Sequence, residues 1–228
     1  MDILNFISWI KAGKYSPTMP ADALTVVGVP NPTRGDAYLP VTVPVTAIGA
    51  LFPIPTSNTN IGKQIGGGIV VAEWDDNGVK KALVASSSDV TGYLIWTVTA
   101  QQGLTCPGAT SYSNGSTNTD AIIAQAGILN NTYAAGAARL HTGGGFNDWY
   151  LPSIWELNMC YDAAAIVNNI LSPGNGFNTA GAAGYWSSLQ ASLAGQAIGK
   201  DFTNGSIGGG AKSSTGVFRV RAVRIHIL

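Results

Sequence analysis

Charged side chains are scarce in this chain. Only 11% of its 228 residues are Asp, Glu, Lys or Arg, and the formal net charge is zero, whereas roughly 25% of an average soluble protein is charged. The sequence therefore lacks the electrostatic footprint of a nucleic-acid-binding protein. Its polar surface must come mainly from Ser, Thr, Asn, Gln and Gly, which is typical of outward-facing and assembly proteins.

Histidines and catalytic motifs are also few. His141 and His226 are the only histidines, and neither belongs to a nucleophile or zinc motif. We expect His141 in a turn or at the surface and His226 on the polar face of the last strand. The segment from Asp75 to Gly78 lacks the spaced oxygen ligands of a calcium loop. The sequence thus predicts a protein that is not an enzyme and that needs no metal or other cofactor.

Cysteines are also few, and long apolar runs are absent. Cys106 and Cys160 are the only cysteines, and the sequence leaves open whether they pair, although the rarity of cytosolic disulfides favours two free thiols. No apolar run is long enough to span a bilayer. The apolar N-terminus lacks the basic segment of a secretion signal. We therefore expect a protein that is made in the cytoplasm and released by a route other than secretion.

Residues 1–62 differ in composition from the rest. Prolines crowd the segment from Pro17 to Pro55 and exclude long helices and central strands there. The segment is nevertheless too apolar for a flexible linker. We expect an extended arm in residues 1–62 that buries itself on another surface, and a separate domain in residues 63–228.

A short helix is predicted before the arm. Ile3, Phe6, Ile7 and Ile10 follow helical spacing, and Trp9 widens the apolar face. A helix of this length is not stable alone in water, so these five residues are the predicted anchor. The anchor docks either on the chain's own domain or on another chain, including a symmetric copy.

Short strands and two or three helices are predicted downstream. The Asn77-Gly78 pair between two apolar runs indicates a hairpin. Ser153 and Glu156 form a capping box, so a helix should start at Ser153. The predicted segments are a hairpin of 69–74 and 79–85, one or two helices in 119–140, a helix over 153–170, and closing strands at 184–190, 196–203 and 216–228. This order of elements predicts an α+β domain.

Several of these segments resemble one known family. The stretch 144–158, with its Asp-Trp, Leu-Pro and Glu-Leu pairs, resembles the signature of the Lcl C-terminal-domain family, a bacterial and phage branch of the C-type-lectin-like fold. Further segments resemble that family in the same order: 66–78, 118–123, 134–139, 185–188, 200–205 and 219–224. The resemblance runs from about Lys63 to the C-terminus. It implies a C-type-lectin-like domain behind the proline-rich arm and its short helix.

The resemblance also implies roles for particular residues. The expected structural core contains Trp149, Pro152, Trp186 and Phe218, whereas Trp155 should straddle core and surface. The calcium-binding tripeptides of sugar-binding C-type lectins are missing, and Asn147-Asp-Trp149 only superficially matches one of them, so calcium-mediated sugar binding is not expected. The Ile207–Thr215 segment should be an adaptable surface loop. The residues expected on a ligand-binding face are Gln190, Ser192, Gln196, Asn204, Ser206 and Lys212.

These expectations combine into one hypothesis about function. A domain of outward-facing type without an export signal fits a bacteriophage virion protein of the fibre or decoration type, because lysis releases it. The N-terminus would attach to capsid, neck or tail proteins, most simply as a homotrimer, and the domain would bind a host cell-surface glycan or protein. The alternatives are a purely structural decoration protein and a bacterial surface adhesin. No contact with nucleic acid and no membrane insertion are expected.

Overall fold

The computed structural model describes residues 23–30, 38–44, 59–90 and 92–228. The chain divides into two units, Met1–Asn58 and Thr59–Leu228. The predicted anchor residues Ile3, Phe6, Ile7, Trp9 and Ile10, together with their helix, lie outside the described residues.

The first unit contains a two-stranded antiparallel hairpin. Strands β1 (Ala23–Pro30) and β2 (Tyr38–Pro44) pair with Ala23 opposite Pro44 and Pro30 opposite Tyr38. Both strands of a hairpin are edge strands, and edge strands tolerate proline because one side of each needs no ladder hydrogen bond. These two segments of the proline-rich arm are therefore extended, as the sequence predicts for the arm.

The second unit is α+β, as predicted. Its strands and helices are, in order, β3 (Gln64–Ile65), β4 (Gly68–Asp76), β5 (Val79–Ala85), α1 (Gly115–Ala126), α2 (Ala134–Arg139), α3 (Ile154–Ile170), β6 (Gly184–Gln190), β7 (Gln196–Asp201), β8 (Ile207–Ala211), β9 (Phe218–Arg219) and β10 (Val223–Ile227). Two four-stranded sheets are formed, in the orders β10-β5-β4-β3 and β8-β7-β6-β9. Only the β6–β9 pair in these two sheets is parallel.

The end of the chain links the two sheets. The single closing strand predicted for 216–228 is wrong, because β9 pairs with β6 in one sheet and β10 pairs with β5 in the other. Between them, the carbonyls of Val220 and Ala222 accept hydrogen bonds from the backbone N–H groups of Val90 and Ser86. The chain thus passes from one sheet to the other between β9 and β10, and the local sequence does not encode this change.

Local signals placed the hairpin and the longest helix correctly. Asn77 and Gly78 have φ of 53° and 86°, and this left-handed pair makes the tight turn between β4 and β5. Ser153 is the N-cap of α3, and both hydrogen bonds of its capping box with Glu156 are present. The region predicted as one or two helices contains two, and α1 ends at Gly127 in a left-handed conformation.

Two buried clusters make up the core of this unit. One lies between α3 and the strands and includes Leu83, Leu157 and Tyr185. The other surrounds three fully buried tryptophans, Trp96, Trp149 and Trp186. Cys160 belongs to the first cluster and Cys106 to the second, and both are buried free thiols. Within the described parts of the chain, no helix has the length and apolarity needed to cross a membrane.

Candidate functional site

The predicted ligand-binding residues lie mainly in two turns of the second sheet. Gln190, Ser192 and Gln196 belong to the turn between β6 and β7, whereas Asn204 and Ser206 belong to the turn between β7 and β8. These turns lie at opposite ends of the six-residue strand β7, about 17 Å apart at the usual rise per residue. Their joint action in ligand binding stays a prediction.

Two of the predicted ligand contacts are used inside the protein. Lys212 is fully buried, and its Nζ donates to the carbonyl of Leu104 at 2.6 Å and lies over the Trp96 ring. Burial lowers the pKa of Lys212. Gln190 is also buried, and its Oε1 accepts a hydrogen bond from the backbone N–H of Cys106. Neither side chain is free to bind a ligand, because both already hold neighbouring loops in place.

The remaining predicted contacts sit at or near the surface. Ser192, Asn204 and Ser206 are exposed, and Gln196 is half-buried. The segment expected to be a loop at 207–215 begins with strand β8, which pairs with β7 along its length. The adaptable part of that segment is consequently limited to the residues after Ala211.

The structure places the predicted core residues as follows. Trp149, Pro152 and Trp186 are buried, and Phe218 is half-buried with its ring stacked on Trp186 at 3.8 Å between centroids. The Trp186 indole donates to the carbonyl of Leu94 at 2.8 Å, and the Trp149 indole donates to the carbonyl of Gly143 at 3.2 Å. Because both N–H groups have partners, the rings can be buried without an unsatisfied donor.

The arginines of the last segments are structural. In the sequence, Arg219 and Arg221 alternate with apolar residues, yet the Arg221 side chain is fully buried. Asp89 lies 3.0 Å from Arg221 and 3.4 Å from Arg219. Arg221 also donates to the carbonyls of Asn175 and Gly176. The charge therefore fixes the loop that follows α3.

The two histidines both lie beside aromatic rings. His141 is half-buried against Trp149, with ring centroids 4.8 Å apart, and burial lowers its pKa. His226 lies on β10, half-buried and 6.4 Å from the Phe146 ring. Across the described residues, no group of three or more His, Cys, Asp or Glu side chains could hold a metal ion.

A cleft at the start of α3 is the best candidate site. Its volume is about 400 Å³, within the range of small-molecule sites. Trp74 at the end of β4 and Trp155 in the first turn of α3 meet edge to face, with centroids 6.3 Å apart and planes at 72°. The other lining residues are Ser113, Asn114, Ser116, Tyr150, Glu156 and Ile225.

The helix geometry explains why Trp155 is exposed. The neighbouring residues Ile154, Glu156 and Leu157 are buried, whereas 45% of Trp155 is accessible to solvent. Its backbone N–H donates to the carbonyl of Tyr112 at 3.1 Å, so the turn before α1 is held against the first turn of α3. The exposed ring and this turn thus form adjoining walls of the cleft.

The floor of the cleft carries a carboxyl whose two oxygens both accept hydrogen bonds from the protein. Glu156 is buried, its Oε2 accepts from the backbone N–H groups of Ser153 and Gly115, and its Oε1 accepts from the Tyr150 hydroxyl at 2.7 Å. Burial raises the pKa of Glu156 and also that of Tyr150. A Cβ at Gly115 would collide with Glu156 and the Ser153 nitrogen, so glycine permits this close approach.

The sequence contained one signal for this cleft. Trp155 falls outside the apolar stripe of α3 formed by Ile154, Leu157 and Tyr161, so its ring had to point away from the core. Its partner Trp74 could not be found in the same way, because the pairing brings together two elements separated by α1 and α2.

The chain matches one family model. The model described as the Lcl C-terminal domain matches residues 86–224, which is more than half of the chain. The matched region begins directly after β5 and includes the Trp155 wall of the cleft but not Trp74. A search of curated proteins finds no match.

Proposed function

Because the chain belongs to the Lcl C-terminal domain family, we propose that its second unit is a non-enzymatic binding domain with a C-type-lectin-like fold. In this proposal the chain is a bacteriophage virion protein of the fibre or decoration type. Its N-terminal residues attach it to other virion proteins, and the domain faces outward to bind a glycan or protein on the host surface.

The observation that carries the binding role is the Trp74–Trp155 cleft. Large aromatic rings left at a surface beside polar groups are typical of recognition sites, since they offer contact area with little loss of side-chain freedom. The exposure of Trp155 is better explained by a ligand than by folding.

The same cleft argues for binding rather than catalysis. Hydrolysis of a glycosidic bond generally uses two carboxyl groups, and Glu156 is the single carboxyl among the lining residues. Its oxygens are occupied by Ser153, Gly115 and Tyr150. A group with three structural hydrogen bonds is poorly suited to exchange protons with a substrate, because each exchange would disturb two helix ends.

The virion role rests on the composition and on the family. A low charge content and an uncharged polar surface suit a protein that is packed in many copies on a particle, and the apolar arm suits attachment to a neighbouring subunit. A homotrimer is the simplest assembly for a fibre-like protein. Antibodies raised against residues 59–228 should decorate purified phage particles, and particles that lack the protein would contradict this role.

Binding to the host can be tested with the full chain. Fluorescently labelled protein should bind cells of a susceptible strain, and Trp155→Ala should abolish most of this binding. Leu193→Ala is the matched control, because Leu193 is also a large exposed apolar residue but lies outside the cleft. Binding that survives in Trp155→Ala would refute the role of the cleft. An absence of binding by the unsubstituted protein would favour a purely structural decoration protein.

A further inference from the structure

We propose that the ligand of the Trp74–Trp155 cleft is an uncharged oligosaccharide, with one sugar ring held against the Trp155 indole. This inference rests on the proposed function and narrows it from a glycan or protein to a neutral glycan. Three properties of the cleft support it: the angle between the two rings, the free polar groups at the rim, and the charge of the lining.

The two indoles provide two walls of the cleft against which a flat ring can pack. They meet at 72° with centroids 6.3 Å apart, and Trp74 is half-buried whereas Trp155 is 45% exposed. A sugar ring has an apolar face of C–H groups and a rim of hydroxyls. The C–H face can lie on the electron-rich face of Trp155 while one edge of the sugar contacts Trp74.

The rim offers neutral hydrogen-bonding groups that are already oriented. The Asn114 Oδ1 accepts from the backbone N–H of Thr117 at 3.0 Å and caps α1. That bond fixes the side chain and leaves its Nδ2 without a protein partner among the described residues. The Ser111 hydroxyl accepts from the N–H of Asn114 at 2.9 Å and stabilises the turn that carries Ser113. Groups held in this way lose little entropy when a ligand binds.

The charge of the lining excludes an acidic sugar. Glu156 is the single Asp, Glu, Lys, Arg or His among the lining residues. Recognition of a carboxylate or sulfate generally uses Arg or Lys, and the cleft offers neither. A buried carboxyl on the floor would in addition repel an anion. The volume of the cleft, about 400 Å³, is in the range of small-molecule sites.

The test uses the full chain labelled with ¹⁵N and titrated with neutral oligosaccharides of glucose, galactose, mannose and N-acetylglucosamine. The chain has six tryptophans, so six indole N–H signals are available. We expect two signals to shift, those that disappear in Trp74→Phe and Trp155→Phe. The affinity should be nearly independent of salt, because no ion pair forms.

Variants separate the contacts from the fold. Trp155→Ala should raise the Kd roughly tenfold or more. Asn114→Asp keeps the oxygen that caps α1, since Asp is as good a cap as Asn, but removes the free donor. It should weaken binding without changing the melting temperature. Leu193→Ala should leave both quantities unchanged.

The outcomes distinguish this inference from the function it rests on. Cell binding that needs Trp155 but is not inhibited by any neutral oligosaccharide would leave the proposed function standing and overturn this inference. Binding of acidic oligosaccharides alone would also overturn it. Cell binding that is independent of Trp155 would overturn this inference and also the role of the cleft in the proposed function.

Discussion

At the scale of single residues, similar side chains have different roles because of their partners. Trp186 and Trp155 are both indoles in the family-matched region, yet Trp186 is fully buried with its N–H bonded to Leu94, whereas Trp155 is 45% exposed. Lys212 looked like a surface lysine but donates to a buried carbonyl. The residue type alone therefore does not show whether a side chain belongs to the core or to the candidate cleft. Its hydrogen-bond partner does.

Replacing Trp186 with alanine should strongly destabilise the domain. The loss of a buried tryptophan typically costs about 3–5 kcal/mol, and the stacked ring of Phe218 would lose its partner as well. Ser213→Ala is the control, because Ser213 is exposed in the segment after β8 and surface changes usually stay within roughly 0.5 kcal/mol. Urea denaturation of the two variants measures the difference. Equal midpoints would mean that Trp186 does not support the core.

The Asp148–Arg224 pair should make stability depend on acid. Arg224 Nε and a second guanidinium nitrogen donate to the two Asp148 oxygens at 2.6 and 2.9 Å, and these bonds hold the pKa of Asp148 below its usual value. A lowered carboxyl pKa contributes stability that is present above the unfolded pKa, near 3.9, and is lost as pH falls through the folded pKa.

Comparison with Asp148→Asn isolates this contribution. At neutral pH the variant should be less stable than the unsubstituted protein, and the difference should shrink as the pH is lowered below about 4. Its size should be modest, because about half of the Asp148 side chain is exposed and solvent screens the pair. Urea melts over a pH series measure it. A stability difference that stays constant down to acid pH would show that the charge of Asp148 makes no contribution.

At the scale of elements, Glu156 connects the starts of two helices. Its Oε2 accepts from Ser153, the N-cap of α3, and from Gly115, the first residue of α1, while its Oε1 accepts from Tyr150. Helix starts have backbone N–H groups without partners inside the helix. The Glu156 carboxyl accepts from one such start in α1 and one in α3. The capping box therefore holds α1 and α3 together as well as starting α3.

Removing this carboxyl should cost more than removing the other half of the capping box. Glu156→Ala leaves three donors buried without an acceptor, at about 1–3 kcal/mol for each such group, whereas Ser153→Ala should cost about 1 kcal/mol. Asp162→Asn, at an exposed position of the same helix, should be neutral. Thermal melts and urea midpoints measure the order. Equal costs for Glu156→Ala and Ser153→Ala would show that the bond to α1 adds nothing.

The elements that the sequence predicted well are those set by local chemistry. The start of α3 follows from Ser153 and Glu156, three residues apart, and the β4–β5 turn follows from Asn77 and Gly78. The division of 218–227 between two sheets could not be predicted, since it depends on strands β5 and β6 far away in the chain. The Trp74–Trp155 cleft escaped for the same reason: the sequence marks Trp155 as lying outside the apolar stripe of α3, but its meeting with Trp74 is a product of tertiary packing.

At the scale of the whole molecule, the boundary between the units has a physical basis. Asn60 donates from its backbone and its side chain to Oε2 of Glu73, at 3.1 and 3.0 Å, and the Gly62 N–H donates to the Val70 carbonyl at 2.8 Å. Ile61 packs against both core clusters. Residues 59–62, which composition assigned to the arm, thus make contacts that belong to the domain.

Two truncations therefore should behave differently. A fragment of residues 59–228 should fold with the stability of the domain in the full chain, whereas a fragment that starts at Lys63 should be less stable by about 1–2 kcal/mol, because it loses the Asn60 bonds and the Ile61 contacts. Urea melts compare the two fragments. Equal stability of the two fragments would mean that residues 59–62 contact the domain without stabilising it.

The longer fragment also tests how the chain assembles. If the first unit provides the contacts between copies, the full chain should form a trimer in light scattering and residues 59–228 should remain monomeric at the same concentration. The cleft should still bind its ligand in the monomer, because all its lining residues lie after Asn58. A fragment that assembles like the full chain would place the contacts between copies in the domain. An unfolded fragment would mean that the arm completes the domain's own core, and a compact decoration protein would then explain the chain better than an anchor with a displayed head.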